Sequence, residues 1–522
     1  MSAPKTAPTA EPERLKPAAQ LTVLAVGIAV AITAGDPTIL AGNLGKIVSG
    51  LNVTVDTASF IAGLATLTSA AATLGAGTLG DLFGSKRLFV IGLLGAIACD
   101  LASMAAPSAA VLIGAQAIMG VSFALLFGLA LAIISSAVAP QRRAQAIGLF
   151  LGATALAHLP LPTIGDWLAN TIGWRGMFSV SPVVALISLP IALRYMPESP
   201  RAERRRVDVV GMLAAAVMLL GLVYGISQMQ NRLTARIIVP GVIGLIAGVL
   251  FIWWELRTPN PALDLRLFRF RPFNAAVTVG AVINFSMGGI VVAISYWVTL
   301  VKGEPSTVVG LILIPAAAAQ AGASVVGGWL MSRFTARSIM ISGLGIIVVS
   351  CLGLATLGVT ASPIAAAGWL SLLAVGWGLA QTPQSDVMMS YASPESAGSV
   401  SAARSGIGQA FYALGPTVYT VAIMSIFVPQ ARDKLVEQGI SEATARASLR
   451  IVPAATEGHL RRVSSIDPEG AHRTVAGSEY VMAHALQTMN LISGLVPLTA
   501  LLLVWFWLPN GSIGRCRLSR TS

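Results

Sequence analysis

Long apolar stretches, separated by short turns rich in charge, Gly or Pro, run through almost the whole chain. Crossing a hydrocarbon core of about 30 Å takes roughly 17 to 25 residues of helix. About fourteen stretches approach that length, with centres near Val30, Thr68, Leu94, Ser122, Ala155, Ala185, Val217, Leu245, Ile283, Ala317, Ile346, Ala374, Phe411 and Leu498. They alternate poorly between apolar and polar positions, and a segment in lipid must satisfy its own backbone. The pattern therefore predicts helices and not barrel strands. Gly and Pro inside the stretches fit, since membrane helices tolerate both.

The turns carry a repeat. Residues Gly77 to Arg87 read G-T-L-G-D-L-F-G-S-K-R, and 251 residues later Gly328, Leu330, Arg333 and Arg337 take the offsets of Gly77, Leu79, Leu82 and Lys86. Two related halves in a membrane suggest a transporter. Composition agrees with the membrane setting: 55% of residues are hydrophobic, 11% are charged and the mean hydropathy is +0.77, against about 25% charged residues in a soluble domain.

Basic residues set the orientation, because Lys and Arg in short loops favour the cytoplasmic side. With the N-terminus inside, 21 of the 34 fall there and five fall in short outer loops. Both termini are thus expected in the cytoplasm, with the chain multi-pass in the plasma (inner) membrane. The same asymmetry accounts for most of the +12 net charge, which reads as topology and contact with anionic lipid. Nucleic acid is not an expected partner, since no basic stripe with interleaved aromatics occurs. Cys99, Cys351 and Cys516 are scattered without paired spacing, so neither a disulfide nor a metal site is expected.

The breaks in rhythm divide the chain. Residues 1–20 read as a disordered cytoplasmic tail and 21–196 as a six-helix bundle. Residues 197–271 read as a linker, two helices that the halves do not share and a basic amphipathic piece near Thr258 to Pro272. A second six-helix bundle covers 272–509, with a long outer loop at 428–485, and 510–522 form a cytoplasmic tail.

These residues resemble the major facilitator superfamily, and within it the fourteen-helix drug:proton antiporter branch. The loop after the second span is similar to that family's G-x-L-a-D-r-x-G-r-k, through Gly77, Leu79, Gly80, Asp81, Gly84 and Lys86, followed by Arg87. Gly35-Asp36-Pro37-Thr38-Ile39-Leu40 resembles the L-D-x-T-I-V of helix 1, Gly173 to Phe178 the S-W-R-W-I-F that opens helix 6, and Asp208-x-x-Gly211 the D-W-x-G that opens helix 7. The helix-5 antiporter motif aligns through Gly148, Ala157, Leu161, Pro162, Gly165 and Asp166, with three of its small residues replaced. Gln116 stands where helix 4 of the branch has an arginine, Leu82 where the loop has a basic residue, and Ser332 where the second loop copy would have its acid.

A charge at mid-bilayer costs on the order of 2.5 to 3.5 kcal/mol even on lenient insertion scales, so ionisable groups there face a cavity or a partner. Asp36 is the first proton-coupling candidate; its alternative role is to cap backbone freed at the Gly-Asp-Pro kink. His158, between prolines, either satisfies free carbonyls or acts as a pH-dependent group. Asp166, two helical turns on, shares a face with His158 or sits at the interface. Asp100, Asp386, Glu395 and Arg404 read as structural or interfacial. Asp81, aimed at a neighbouring helix N-terminus, would close an inner gate with Lys86 and Arg87.

Gln116, Asn284, Tyr296, Trp297, Phe411 and Tyr412 are candidates to line a substrate cavity, whose aromatic character suits amphipathic or cationic organic solutes. No P-loop pattern occurs, no nucleophile, base and orienting acid cluster by spacing, and no cofactor is expected. The reading is an all-α integral membrane protein of two six-helix bundles plus two helices. It resembles a monomeric exporter of small organic compounds in exchange for protons, with small-molecule substrate, protons and membrane lipid as its partners. Gln116 and the altered helix-5 motif keep open an uncoupled facilitator or uptake carrier. The outer segment keeps open a non-transporting sensor or assembly partner.

Overall fold

The computed structural model describes residues 16–53, 55–198, 208–227, 235–259, 261, 265–304, 307–393, 396–437 and 468–508. Among these residues every regular element is helical: α1 Pro17–Gly42, α2 Leu44–Leu51, α3 Val55–Phe83, α4 Ser85–Met104, α5 Ala109–Ala137, α6 Arg143–His158, α7 Leu161–Thr171, α8 Val180–Tyr195, α9 Val209–Ser227, α10 Ala235–Glu255, α11 Arg271–Tyr296, α12 Thr307–Leu330, α13 Ala336–Leu354, α14 Pro363–Ser390, α15 Ala397–Glu437 and α16 Pro468–Trp507. Eleven segments are long and apolar enough to cross a bilayer, α3 qualifies as a bent pair, and two shorter apolar helices lie within α9 and α10. Each of the fourteen predicted centres falls inside one of these helices.

The chain makes these helices where apolar residues leave the backbone no water to bond, and stops them where the sequence offers an alternative. Pro160 and Pro162 lack the N–H groups a continuous helix needs, so one span splits into α6 and α7. Gly84 sits alone between α3 and α4 at φ +94°, a conformation that side chains with a Cβ rarely adopt. That single residue reverses the chain and fixes the motif's last glycine. Gly173, at φ +91°, precedes the tight 3₁₀ turn Trp174–Ser179 in the same way.

Two bundles result. In the first, α1 packs on α6 and α8 while α5 packs on α3 and α4; in the second, α11 packs on α15 and α14 packs on α12 and α13. The helices α9 and α10 form a hairpin, joined closely at Gly221 and Gly244, and α9 lies against both α3 and α15. It therefore covers one of the two seams between the bundles. Large apolar side chains such as Ile118, Leu186, Leu245, Val249 and Leu311 are exposed on the outer surface, as lipid-facing positions should be. Arg–Trp stacks mark both rims: Arg257 on Trp253, Arg333 on Trp329 and Arg337 on Trp505 on the side where α1 begins, and Arg175 on Trp174 on the opposite side. Such pairs suit the membrane–water boundary, where an apolar body and a polar tip are both satisfied.

The segment predicted as an outer loop, 428–485, is partly helical. Residues 428–437 extend α15 and 468–485 belong to α16, since its charged residues are good helix formers. Residues 438–467 lie outside the described residues, as do most of 1–20, the linker arginines of 201–206, Glu395 and 510–522.

Candidate functional site: the bundle seams and the buried polar groups

The first copy of the repeated turn closes one seam. Gly77 on α3 approaches Gly398 and Ala402 of α15 so closely that no side chain would fit. This proximity puts the buried Asp81 carboxylate over the first residues of α15, where it accepts from Gly398 N at 2.7 Å, Ser399 N at 3.0 Å and Ser399 Oγ at 2.6 Å. Free N–H groups and the positive dipole end make a helix start a natural partner for an acid. Lys86 does not join Asp81; its amine pairs with Glu198 at 3.7 Å.

The second copy closes the other seam by a different device. Gly328 on α12 meets Gly148 on α6, and Gly152 meets Ala321, backbone against backbone. Ser332, where the acid would be, only bonds locally to Trp329 O. The polar lock comes instead from Arg143 at the start of α6. Its Nε donates to Asp386 Oδ1 at 2.8 Å, and its terminal nitrogens donate to the carbonyls of Asp386 and Met389. Asp386, expected to be merely interfacial, is thus a cross-bundle partner. Ser405 Oγ adds a bond to Phe127 O. These cross-bundle bonds gather toward the side on which α1 begins, so the molecule is shut there.

The proton-coupling candidates part company. Asp36, 2% exposed, accepts from Ser181 Oγ of α8 at 3.2 Å, within the first bundle. Asp100 of α4, expected to be structural, is fully buried, on a helix that packs against α8 as α1 does. His158 ends α6 with Nε2 buried and unpartnered. Asp166 does not share its surroundings: it is exposed on α7 and paired with Lys46 at 3.4 Å. The helix is interrupted at Leu159 and Pro160 between the two residues, and His158 Nε2 is buried while Asp166 lies at the surface. Gly165 packs on Ile39 of α1, and Pro162 opens α7.

The cavity candidates also divide. Gln116 is buried between α5 and α4, with Nε2 at 3.5 Å from Ser103 Oγ, inside its own bundle. Asn284 donates to Gly280 O and faces Gly408 of α15. Tyr296 Oη reaches Thr420 Oγ1 at 3.5 Å, again between α11 and α15. Trp297 is packed into the second bundle at the π-helical turn Trp297–Val301, with its indole N–H on Gly358 O. Phe411 and Tyr412 are the exposed pair, at 39% and 46%. Sequence reasoning undervalued Arg404, which is 94% buried: its Nε donates to Ser385 Oγ at 3.1 Å and its Nη2 has no partner. The signal was available as a lone guanidinium inside an apolar run.

Two helical bundles thus meet along glycine-lined seams, with polar locks between them at one end. A profile of the Major Facilitator Superfamily matches residues 26–416, and the chain belongs to that family of membrane carriers. It is similar to Multidrug resistance protein Stp of Mycobacterium tuberculosis (strain CDC 1551 / Oshkosh), at 28% identity over 94% of this chain and 92% of that protein. It is also similar to Multidrug efflux pump LfrA of Mycolicibacterium smegmatis, at 27% over 78% and 80%. A third relative, the Tetracenomycin C resistance and export protein of Streptomyces glaucescens, shares 26% over 92% and 90%. Among solved structures, the human organic anion transporter MFSD10 superposes with a TM-score of 0.59 at 15% identity, over 93% of this chain and 98% of that one. The proton:xylose symporter XylE gives 0.58 at 14%, over 94% and 95%. These two likenesses speak to the fold.

Proposed function

We propose that this carrier exports small organic compounds, amphipathic or cationic, across the plasma membrane in exchange for protons, by alternating access. The bundles are 21–196 and 272–509, α9 and α10 add two crossings, and the side where α1 begins is the cytoplasm. The observation that supports this most is the pair of seam locks, Asp81 on the start of α15 and Arg143 on Asp386. Both join the two bundles at the same end, as an outward-facing carrier requires. The relatives named for multidrug resistance and export favour drugs as the cargo. Phe411 and Tyr412 provide exposed aromatic faces for stacking and cation–π contact.

Transport follows from breaking and remaking these locks. With the cytoplasmic end shut, substrate leaves and a buried acid takes a proton from outside. When the bundles tilt, Asp81 leaves the α15 N-terminus, Arg143 leaves Asp386, and the path opens inward. A carboxyl that is neutral in one state and ionised in the other links the two movements.

Gln116 supports a second reading, an uncoupled facilitator or uptake carrier. Its amide goes to Ser103 and cannot hold a carboxylate ionised as a guanidinium does. Purified protein in liposomes loaded with a pH-sensitive dye separates the two. Proton movement driven by addition of an organic cation, and lost in Asp36→Asn, is the expected result. Cation flux without proton movement would favour the facilitator and overturn the exchange.

A further inference from the structure

Three helices of the first bundle bring two acids and one hydroxyl together toward the end opposite the locks. Asp36 of α1 is 2% exposed and Asp100 of α4 is fully buried. The Ser181 hydroxyl of α8 donates to Asp36 Oδ1 at 3.2 Å, and α8 packs against both α1 and α4, the two helices that carry the acids. The other three carboxyl oxygens, Asp36 Oδ2 and both oxygens of Asp100, are buried and have no hydrogen-bond partner. A hydroxyl donates one proton, so this cluster has more acceptors than donors.

The groups on the surrounding helices do not repair the imbalance. Cys99 of α4 is a neighbouring thiol, and the Gln116 amide of α5 is directed to Ser103. His158 ends α6 without a protein partner. Lys46 of α2 engages Asn43 and, at the surface, Asp166 of α7. Arg175 of the 3₁₀ turn donates to Ala106 O and stacks on Trp174. Asp81 of α3, Arg143 of α6 and Arg194 of α8 belong to the other end of their helices. Two carboxylates side by side in a dry site cannot both stay ionised without a cation.

We propose that Asp36 and Asp100 form a carboxyl dyad holding a shared proton, and that this dyad, with Ser181 as its third member, is the proton-binding site of the carrier. The step is an acid–base exchange. On uptake an O–H bond forms on one carboxyl and hydrogen-bonds to the other. On release it breaks to a water, the electron pair staying on the carboxylate oxygen. The role in transport rests on the proton-exchange reading above; the dyad itself does not.

Infrared difference spectra of the full-length protein in lipid, followed through a pH titration at the carbonyl stretch of protonated carboxyls, test it directly. Wild type should show a signal that loses part of its intensity in Asp36→Asn, part in Asp100→Asn and all of the site's share in the double variant. Because the two groups titrate as a pair, Asp100→Asn should move the midpoint left by Asp36 by about one pH unit or more. Ser181→Ala, which removes a single oxygen, should move the midpoint as well and serves if Asp100→Asn does not fold. An Asp36 midpoint unmoved in both variants, or two acids ionised throughout, would overturn the dyad. Dye-loaded liposomes separate this from the transport reading. Normal dyad spectra with no drug-driven proton movement would sink the exchange and leave the dyad standing, whereas normal movement in Asp100→Asn with an unmoved midpoint would sink the dyad alone.

Discussion

Asp81 shows what a single carboxylate can do at a seam. It supplies both oxygens to one helix start, accepting two backbone N–H bonds and one hydroxyl bond, and those N–H groups have no other helical partner. Replacing a capping acid by Ala costs about 1 kcal/mol, which is about a fivefold change in a two-state ratio. Asp81→Ala should therefore raise the inward-open fraction about fivefold while leaving drug affinity in the outward state unchanged. Spin labels on the exposed side chains at Phe83 and Phe334 would report it as growth of a longer distance component; an unaltered distribution would remove Asp81 from the gate. At the second seam Arg143→Lys should recover only part of the lock, because a lysine cannot reach the Asp386 carboxylate and two carbonyls in the same fork geometry. Charge exchange, Arg143→Asp with Asp386→Arg, should restore transport more fully than either single change, as measured by drug efflux from cells.

The helices decide how near those residues can come. Gly148 and Gly328 let α6 and α12 touch backbone to backbone, and Gly77 does the same for α3 on α15. Gly148→Leu should prop the α6–α12 seam open and abolish efflux even though the side chain is only apolar, with cytoplasmic labelling of the path raised; efflux near wild type would contradict the contact. The helices themselves were plain in the sequence, because an apolar run has no alternative in lipid. The repeat pointed to Gly77, Asp81 and Gly328, and the structure puts all three at the seams. Much of the buried chemistry was not legible. Arg143 and Asp386 are 243 residues apart, and nothing in either neighbourhood announces the other. Asp100 reads as structural until the rotation of α1 and α4 about their own axes turns both acids inward, and Asp166 reads as a partner of His158 until the structure sets it at the surface against Lys46. Helix rotation is fixed by tertiary packing, which a period of apolar residues constrains weakly when nearly every position is apolar.

At the scale of the molecule the two seams belong to one movement. The locks sit on different helix pairs, α3 with α15 and α6 with α14, yet each joins the same two bundles at the same end. A closely packed bundle resists deformation, so one seam can part widely only if the whole bundle rotates and parts the other. The hairpin α9–α10 strengthens the expectation, since α9 touches both α3 and α15 and must slide on at least one of them. Asp81→Ala should consequently lengthen distances across the α6–α14 seam as well as across its own, and do so in the same fraction of molecules. With Arg143→Ala added, the two free energies should add and the inward-open ratio should multiply to roughly 25-fold, provided each lock alone contributes about fivefold. Pairs of spin labels placed across each seam, in wild type, the two single variants and the double, distinguish the cases. If Asp81→Ala moves the α3–α15 distance and leaves the α6–α14 distance untouched, the bundles do not rock as bodies, and alternating access in this carrier would have to proceed by local bending of α3 and α15.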